Sequence, residues 1–150
     1  MSENISCGSI LLVEDEPRLR QTLARSLAGR NFQVVEATTA AGAIAAVTDR
    51  RFDLMLLDIN LPDATGWDVL RGLRRAERQL PVVVMSAVPP NPARVREFRP
   101  FGILHKPFPI DALLRLIRSA CVASEPRGRA ECDPTQRREK PKARVDLVPH

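Results

Sequence analysis

The stretch LMLLDINLP, residues 54–62, decides how this chain folds. Four large apolar residues run without interruption into Asp58, and a proline closes the stretch at position 62. A short apolar run without alternation, bounded by a turn signal, suits a strand covered on both faces. A carboxylate at the end of such a strand can cap a helix, pair with a cation or carry chemistry. The choice depends on what the other strands bring to the same edge.

Reading outward, apolar segments with strand and helix periods alternate. SILLV, Ser9–Val13, is a first buried strand, and a helix opens at Pro17, a favoured first-turn residue. Leu19, Leu23 and Leu27 share one face of that helix, and Gly29 stops it. FQVVEA (residues 32–37) is predicted as strand two, and the Ala-rich segment 39–50, capped by a threonine, as a helix. DLMLLD (residues 53–58) is strand three, followed by a helix over residues 66–76 that buries Trp67, Leu70 and Leu73. Residues 81–86, PVVVMS, form strand four, and residues 101–106, FGILHK, form strand five. The last helix covers residues 110–122, with Asp111 as N-cap and Leu113, Leu114, Leu116 and Ile117 facing inward. Five strands alternating with helices predict an α/β fold with a doubly wound parallel sheet.

The 150 residues are 44% hydrophobic and 27% charged, an ordinary globular composition, and the longest apolar runs are strand-sized. The start, MSENISCGS, lacks the basic and apolar segments of a secretory signal. No membrane association and a cytoplasmic location are therefore expected. Cys7, Cys121 and Cys132 lack metal-ligand spacing and are expected to be free thiols. The net charge of +5 divides into 16 − 13 = +3 over residues 1–123 and 7 − 5 = +2 over residues 124–150. Neither part has a long block of one sign with interleaved aromatics, so no dedicated nucleic-acid surface is expected. Residues 1–8 are expected to be a flexible N-terminus, 9–123 the folded domain and 124–150 a disordered basic tail.

In open parallel sheets, ligands sit beyond the carboxyl ends of the strands. Strand one ends in Glu14-Asp15-Glu16, strand three in Asp58, strand four in Ser86 and strand five in Lys106. Two carboxylates brought close repel each other unless a cation lies between them. Oxygen ligands with retained waters suit Mg²⁺. Lys106, the only lysine before residue 124, is a compact charge suited to a phosphate. A carboxylate can also act as a nucleophile and become an aspartyl-phosphate, with metal and ammonium neutralising the transferring group.

Taken singly, these residues have ordinary explanations. Asp15 could cap the helix that opens at Pro17, and Asp58 could bond its own backbone at a loop start. Ser86 could serve a turn, and Lys106 could be a solvated charge. It is their convergence on one rim that argues for a site. His105 is expected to point away from it, and Trp67 to be core. Gly66 is expected to relieve the turn into its helix.

With these residues in place, the chain resembles the receiver domain of two-component response regulators over about residues 9–122. The resemblance rests on LLVEDE, LLDINLPDATG, MSA and HKPF, in that order. It implies a flavodoxin-like fold with strand order 2-1-3-4-5, and Asp58 as acceptor of a phosphoryl group from a histidine kinase or histidine phosphotransfer protein. It further implies Mg²⁺, with Mn²⁺ as a substitute, held by Asp15, Asp58, the Asn60 backbone carbonyl and Glu14, directly or through water. Ser86 would be the switch hydroxyl, Lys106 the phosphate-binding lysine, and the Lys106–Pro107 peptide cis.

Two features depart from the family pattern. Ile103 stands where the family usually has an aromatic residue, and Pro89, Pro90, Pro92 and Pro100 leave only a short fourth helix, about residues 92–99. With 27 residues after position 123, the chain is expected to be a stand-alone receiver. It would lack a dedicated DNA-binding domain, act through protein contacts, and be a monomer or a phosphorylation-linked dimer. Only self-directed phosphotransfer and autodephosphorylation are expected of it, not enzymatic turnover. One rival is a degenerate receiver serving as a phosphorylation-independent interaction module. Another is a haloacid-dehalogenase-type phosphatase, which wants a second aspartate where this chain has Asn60.

Overall fold

The computed structural model describes residues 8–123. The expected flexible N-terminus, apart from Gly8, and the expected disordered tail lie outside the described residues. Five strands and five helices alternate along the chain: β1 Ser9–Val13, α1 Pro17–Ala28, β2 Gln33–Ala37, α2 Ala40–Asp49, β3 Leu54–Asp58, α3 Gly66–Arg75, β4 Val82–Ser86, α4 Pro92–Phe98, β5 Gly102–His105 and α5 Ile110–Ala123. All pairings are parallel and the order is β2-β1-β3-β4-β5. The doubly wound sheet follows from the buried strands, because βαβ crossovers place helices on both faces.

The pleat sorts the side chains. Ile10, Leu12, Leu54, Leu56, Val83 and Met85 face one layer, where Leu23 and Leu27 of α1 meet Leu113, Leu114, Leu116 and Ile117 of α5. Leu11, Val13, Met55, Leu57, Val82 and Val84 face the other, against Ala43 and Val47 of α2 and Trp67, Leu70 and Leu73 of α3. Every residue of β3 and β4 is buried, which is why the sequence showed runs and not alternation there. β2 is an edge strand and reads more polar.

Several strands are shorter by a residue than their apolar runs. The Phe32 amide, for example, is taken by the Leu27 carbonyl at the end of α1 and not by the sheet. Helix starts follow the sequence at Pro17 and at Thr39, which caps α2 by accepting from the Gly42 amide. The cap of α1 is Glu16, accepting from Leu19 at 2.7 Å, so Asp15 is left free of that duty. Asp111 is not an N-cap: it lies inside the first turn of α5, where its charge complements the helix dipole. α3 begins with a capping box between Thr65 and Asp68. The expectation of three free thiols is also corrected, since Cys121 is disulfide-bonded; Cys7 and Cys132 lie outside the described residues.

α4 is the weakest element. It has seven residues, none of them buried. Its main hold on the body is Phe98, which stacks on Trp67 at 6.0 Å between centroids and lies under the guanidinium groups of Arg71 and Arg74. Arg74 also donates to the Glu97 carbonyl at 2.8 Å, closing the exposed end of the helix. Phe98→Ala should therefore cost about 1–2 kcal/mol of local docking. The expected result is faster amide exchange confined to α4 and a red shift of Trp67 emission, with α1 and α5 unchanged. Uniform loss of protection would show that α4 is not separately held.

Candidate functional site

The parallel sheet brings four strand ends to one rim. β1 delivers Glu14 and Asp15, β3 delivers Asp58, β4 delivers Ser86, and Lys106 follows β5 directly. The ladders run on into the site: the Glu14 amide donates to Ala37, and the Lys106 amide to the Ser86 carbonyl at 2.8 Å. These bonds fix the backbone of each residue before its side chain is considered.

Glu14, Asp15 and Asp58 each offer a carboxylate oxygen within 4.8 Å of the others. Glu14 and Asp58 are buried, and Asp15 is exposed. The Lys106 ammonium lies 2.9 Å from Glu14 Oε1 and 3.3 Å from Asp58 Oδ2, so it joins both buried acids. The second Glu14 oxygen accepts from the Glu16 amide at 3.1 Å, and Asp58 Oδ1 from the Asn60 amide at 3.3 Å. The carboxylate of Asp15 has no hydrogen-bond partner among the described residues, nor does the carbonyl of Asn60.

Burial pushes the Glu14 carboxyl above its ordinary 4.5; the hydrogen bond from Lys106 opposes this, and the neighbouring charge of Asp58 adds to it. For Lys106, burial alone would lower the value, but the hydrogen bond and charge of Glu14, helped by Asp58, outweigh it and hold the ammonium above 10.5. One ammonium therefore faces three carboxylates, a formal balance of 1 − 3 = −2 at the rim. Hard oxygen donors with that excess of negative charge fit a divalent cation such as Mg²⁺.

Ser86 is buried, and its hydroxyl donates to the Val88 carbonyl at 2.5 Å while accepting from the Val88 amide at 3.3 Å. The hydroxyl is thus turned towards its own loop. Ile103 is half-buried and packs into the same apolar layer as Val95 and Phe98. His105 is exposed, as expected. The Lys106–Pro107 peptide is cis, as the resemblance implies.

Gly66 has a reason other than the turn. A Cβ there would stand 2.8 Å from the Asp58 carbonyl oxygen and 3.0 Å from the Ile59 Cα, both backbone atoms that cannot swing aside. The first residue of α3 thus packs directly against the peptide that carries Asp58. Gly66→Ala should destabilise the fold by about 1–3 kcal/mol through this overlap. Urea unfolding followed by circular dichroism checks it, and an unchanged midpoint would show that the loop yields freely.

Two residues not singled out from the sequence support the rim, Arg20 and Asp63. Arg20 donates to the carbonyls of Glu14 and Asp15 at 3.3 and 3.5 Å and to Glu36 Oε1 at 2.9 Å. Asp63 accepts from the amides of Ala40 and Ala41, tying the loop after Asp58 to the start of α2. Those amides hold the Asp63 carboxyl below its ordinary 3.8. The contacts made by Arg20 and Asp63 span 5 to 23 positions and mix side chain with backbone, so no local pattern announces them.

Buried parallel strands ending in two acids, a third acid, a hydroxyl and a lysine define a receiver-type signalling domain. The sequence matches the response regulator receiver domain over residues 10–118, and the chain belongs to that family. It is 36% identical over 113 residues to the transcriptional regulatory protein KdpE of Mycobacterium tuberculosis, covering 74% of this chain and 50% of that protein. It is 37% identical over 124 residues to the transcriptional activator protein PfeR of Pseudomonas aeruginosa, covering 77% and 40%. Among solved structures, the non-phosphorylated HemR receiver domain of Leptospira biflexa superposes with a TM-score of 0.70 at 30% identity, covering 76% of this chain and 94% of that one.

The chain spans about half or less of the length of these curated relatives. That overturns the expectation of a stand-alone receiver without a dedicated DNA-binding domain, since the relatives are transcriptional regulators with as much chain again outside the match. The expectation rested on counting residues after position 123, and such a count does not reveal what accompanies a receiver domain. No helix among the described residues is long and apolar enough to cross a membrane.

Proposed function

We propose that residues 9–123 form a phosphorylation-dependent signalling receiver whose acceptor is Asp58. An Asp58 carboxylate oxygen attacks the phosphorus of a phosphohistidine on a histidine kinase or phosphotransfer domain. The P–N bond breaks as the P–O bond forms, and the departing imidazole takes up a proton. The observation that carries this reading is the Lys106 ammonium, set between Glu14 and Asp58 beside an exposed third acid. A cation so placed can follow the negative charge from carboxylate to phosphoryl oxygen.

Asp15, Asp58, the Asn60 carbonyl and Glu14 would hold Mg²⁺, with Mn²⁺ able to replace it. The bound ion would neutralise charge on the transferring phosphoryl group. Ser86 would leave the Val88 carbonyl and donate to a phosphoryl oxygen, drawing the β4–α4 loop with it. Hydrolysis of the aspartyl-phosphate would reset the domain, with no separate substrate turned over.

Incubation with acetyl phosphate and Mg²⁺, followed by mass spectrometry, tests the reading. A hydroxylamine-labile phosphoryl group on the peptide containing Asp58 is expected; its absence, with a donor that modifies a control receiver, would sink it. Ile103 favours a second reading, an interaction module that works without phosphate, because an aliphatic chain cannot supply the ring rotation of an aromatic switch. An adduct that leaves the exchange of α4 unchanged would favour that second reading.

A further inference from the structure

The three carboxylates at the rim are not equally held. Glu14 is fixed by Lys106 and the Glu16 amide, and Asp58 by Lys106 and the Asn60 amide. Among the described residues the Asp15 carboxylate has no partner, so its position depends on its backbone. That backbone is held from α1 by Arg20, which donates to the carbonyls of Glu14 and Asp15, one on each side of the Asp15 Cα. Glu36, at the edge strand β2, holds Arg20 in turn through Nε at 2.9 Å. The Arg20 side chain is only 17% exposed, and its stem lies against the fold.

We propose that Arg20 is a positioning residue for the cation site: its guanidinium, anchored by Glu36, fixes the Glu14–Asp15 peptide so that the Asp15 carboxylate stays within ligand distance of Asp58. The inference rests on the reading of the rim as a Mg²⁺ site. A planar fork suits the task, because it addresses two carbonyls and a carboxylate at once, which an ammonium cannot do with fixed geometry. A positive charge close to a cation site would by itself weaken metal binding. The pairing with Glu36 offsets that charge, leaving the orienting bonds as the main effect. Outer partners of metal ligands act in this way and matter to affinity.

The test is a Mg²⁺ titration of the full chain, followed by calorimetry and by Trp67 emission, for wild type, Arg20→Gln, Arg20→Lys and Glu36→Gln. Melting in EDTA checks that each variant is folded. Arg20→Gln should weaken Mg²⁺ binding about tenfold, and Arg20→Lys should fail to restore it. Glu36→Gln should weaken it roughly threefold. Should Arg20→Gln not fold, Glu36→Gln carries the test, and unchanged affinity there overturns the proposal. Equal or tighter binding by Arg20→Gln would show that the guanidinium only repels the metal, and full rescue by lysine would show that the fork is not needed; either overturns it. A wild type that ignores Mg²⁺ removes the cation site itself, and Arg20's role with it; that failure is recognised because Asp58→Asn then behaves like wild type.

Discussion

Asp58→Asn should abolish the phosphoryl adduct formed with acetyl phosphate and Mg²⁺ and, in the absence of metal, yield a more stable protein. The first effect follows from the nucleophile. An amide has the shape of the carboxylate but neither its charge nor its electron-rich oxygen, so no aspartyl-phosphate can form at position 58. The second follows from the charges around Lys106. That ammonium serves two buried acids, 2.9 Å from Glu14 and 3.3 Å from Asp58, and the charge of Asp58 is one of the causes holding the Glu14 carboxyl up. Removing one acid leaves a matched pair. The gain should be on the order of 1 kcal/mol, the scale of one unit of like-charge pKa shift. Urea melts in EDTA measure it, and Mg²⁺ should narrow the gap by stabilising the wild type alone. An Asp58→Asn protein that still acquires a hydroxylamine-labile adduct would move the acceptor elsewhere. A less stable variant would mean that the Lys106 contact with Asp58 outweighs the repulsion.

Lys106→Met should have the opposite effect on stability and should slow the chemistry without abolishing it. Methionine preserves much of the stem but leaves Glu14, fully buried, and Asp58 without their cation. Breaking a buried pair by removing one partner costs about 3–5 kcal/mol, far more than losing a surface ion pair. The loss should depend on pH. Glu14 already titrates above its ordinary value, and without Lys106 it should rise further. Between the unfolded and folded values of such an acid, the native state binds more protons, so stability rises as pH falls. The defect should therefore be largest near neutral pH and shrink as Glu14 takes up a proton. In the wild type, Lys106 has a raised value, so its contribution is fully present below 10.5 and is lost as pH rises through the folded value. Adduct formation should slow by about a hundredfold or more, the scale seen when one oriented donor to a developing anion is removed. Urea midpoints near pH 5 and 8 and a time course with acetyl phosphate supply both readouts, at pH values chosen to bracket the usual carboxylate and histidine range. A pH-independent defect would place its origin in packing and not in the stranded charge.

Much of this protein was legible in its sequence because the signals are local. The uninterrupted apolar runs in β3 and β4 reflect burial on both faces, and that burial requires helices on both faces of a parallel sheet. Once the strands were placed, the residues at their carboxyl ends named the site, because a parallel sheet puts all those ends on one edge. Pro17, Thr39 and Gly29 marked helix limits through backbone constraints that need no tertiary partner.

Other features were set by three-dimensional packing. Asp111 has the residue type of an N-cap, yet α5 starts one residue earlier and takes it into the first turn. Gly66 answers the close approach of α3 to the Asp58 carbonyl, and no turn chemistry implies that contact. Phe98 holds α4 only because α3 presents Trp67, Arg71 and Arg74 to it. Lys106, expected from sequence to wait for a phosphate, instead bridges Glu14 and Asp58, because buried charges need a partner and this ammonium is within reach of both. Residue type and period therefore determined the layers and the rim. Which charges meet there, and which side chains hold them still, was decided by contacts between distant segments whose partners a local pattern cannot name.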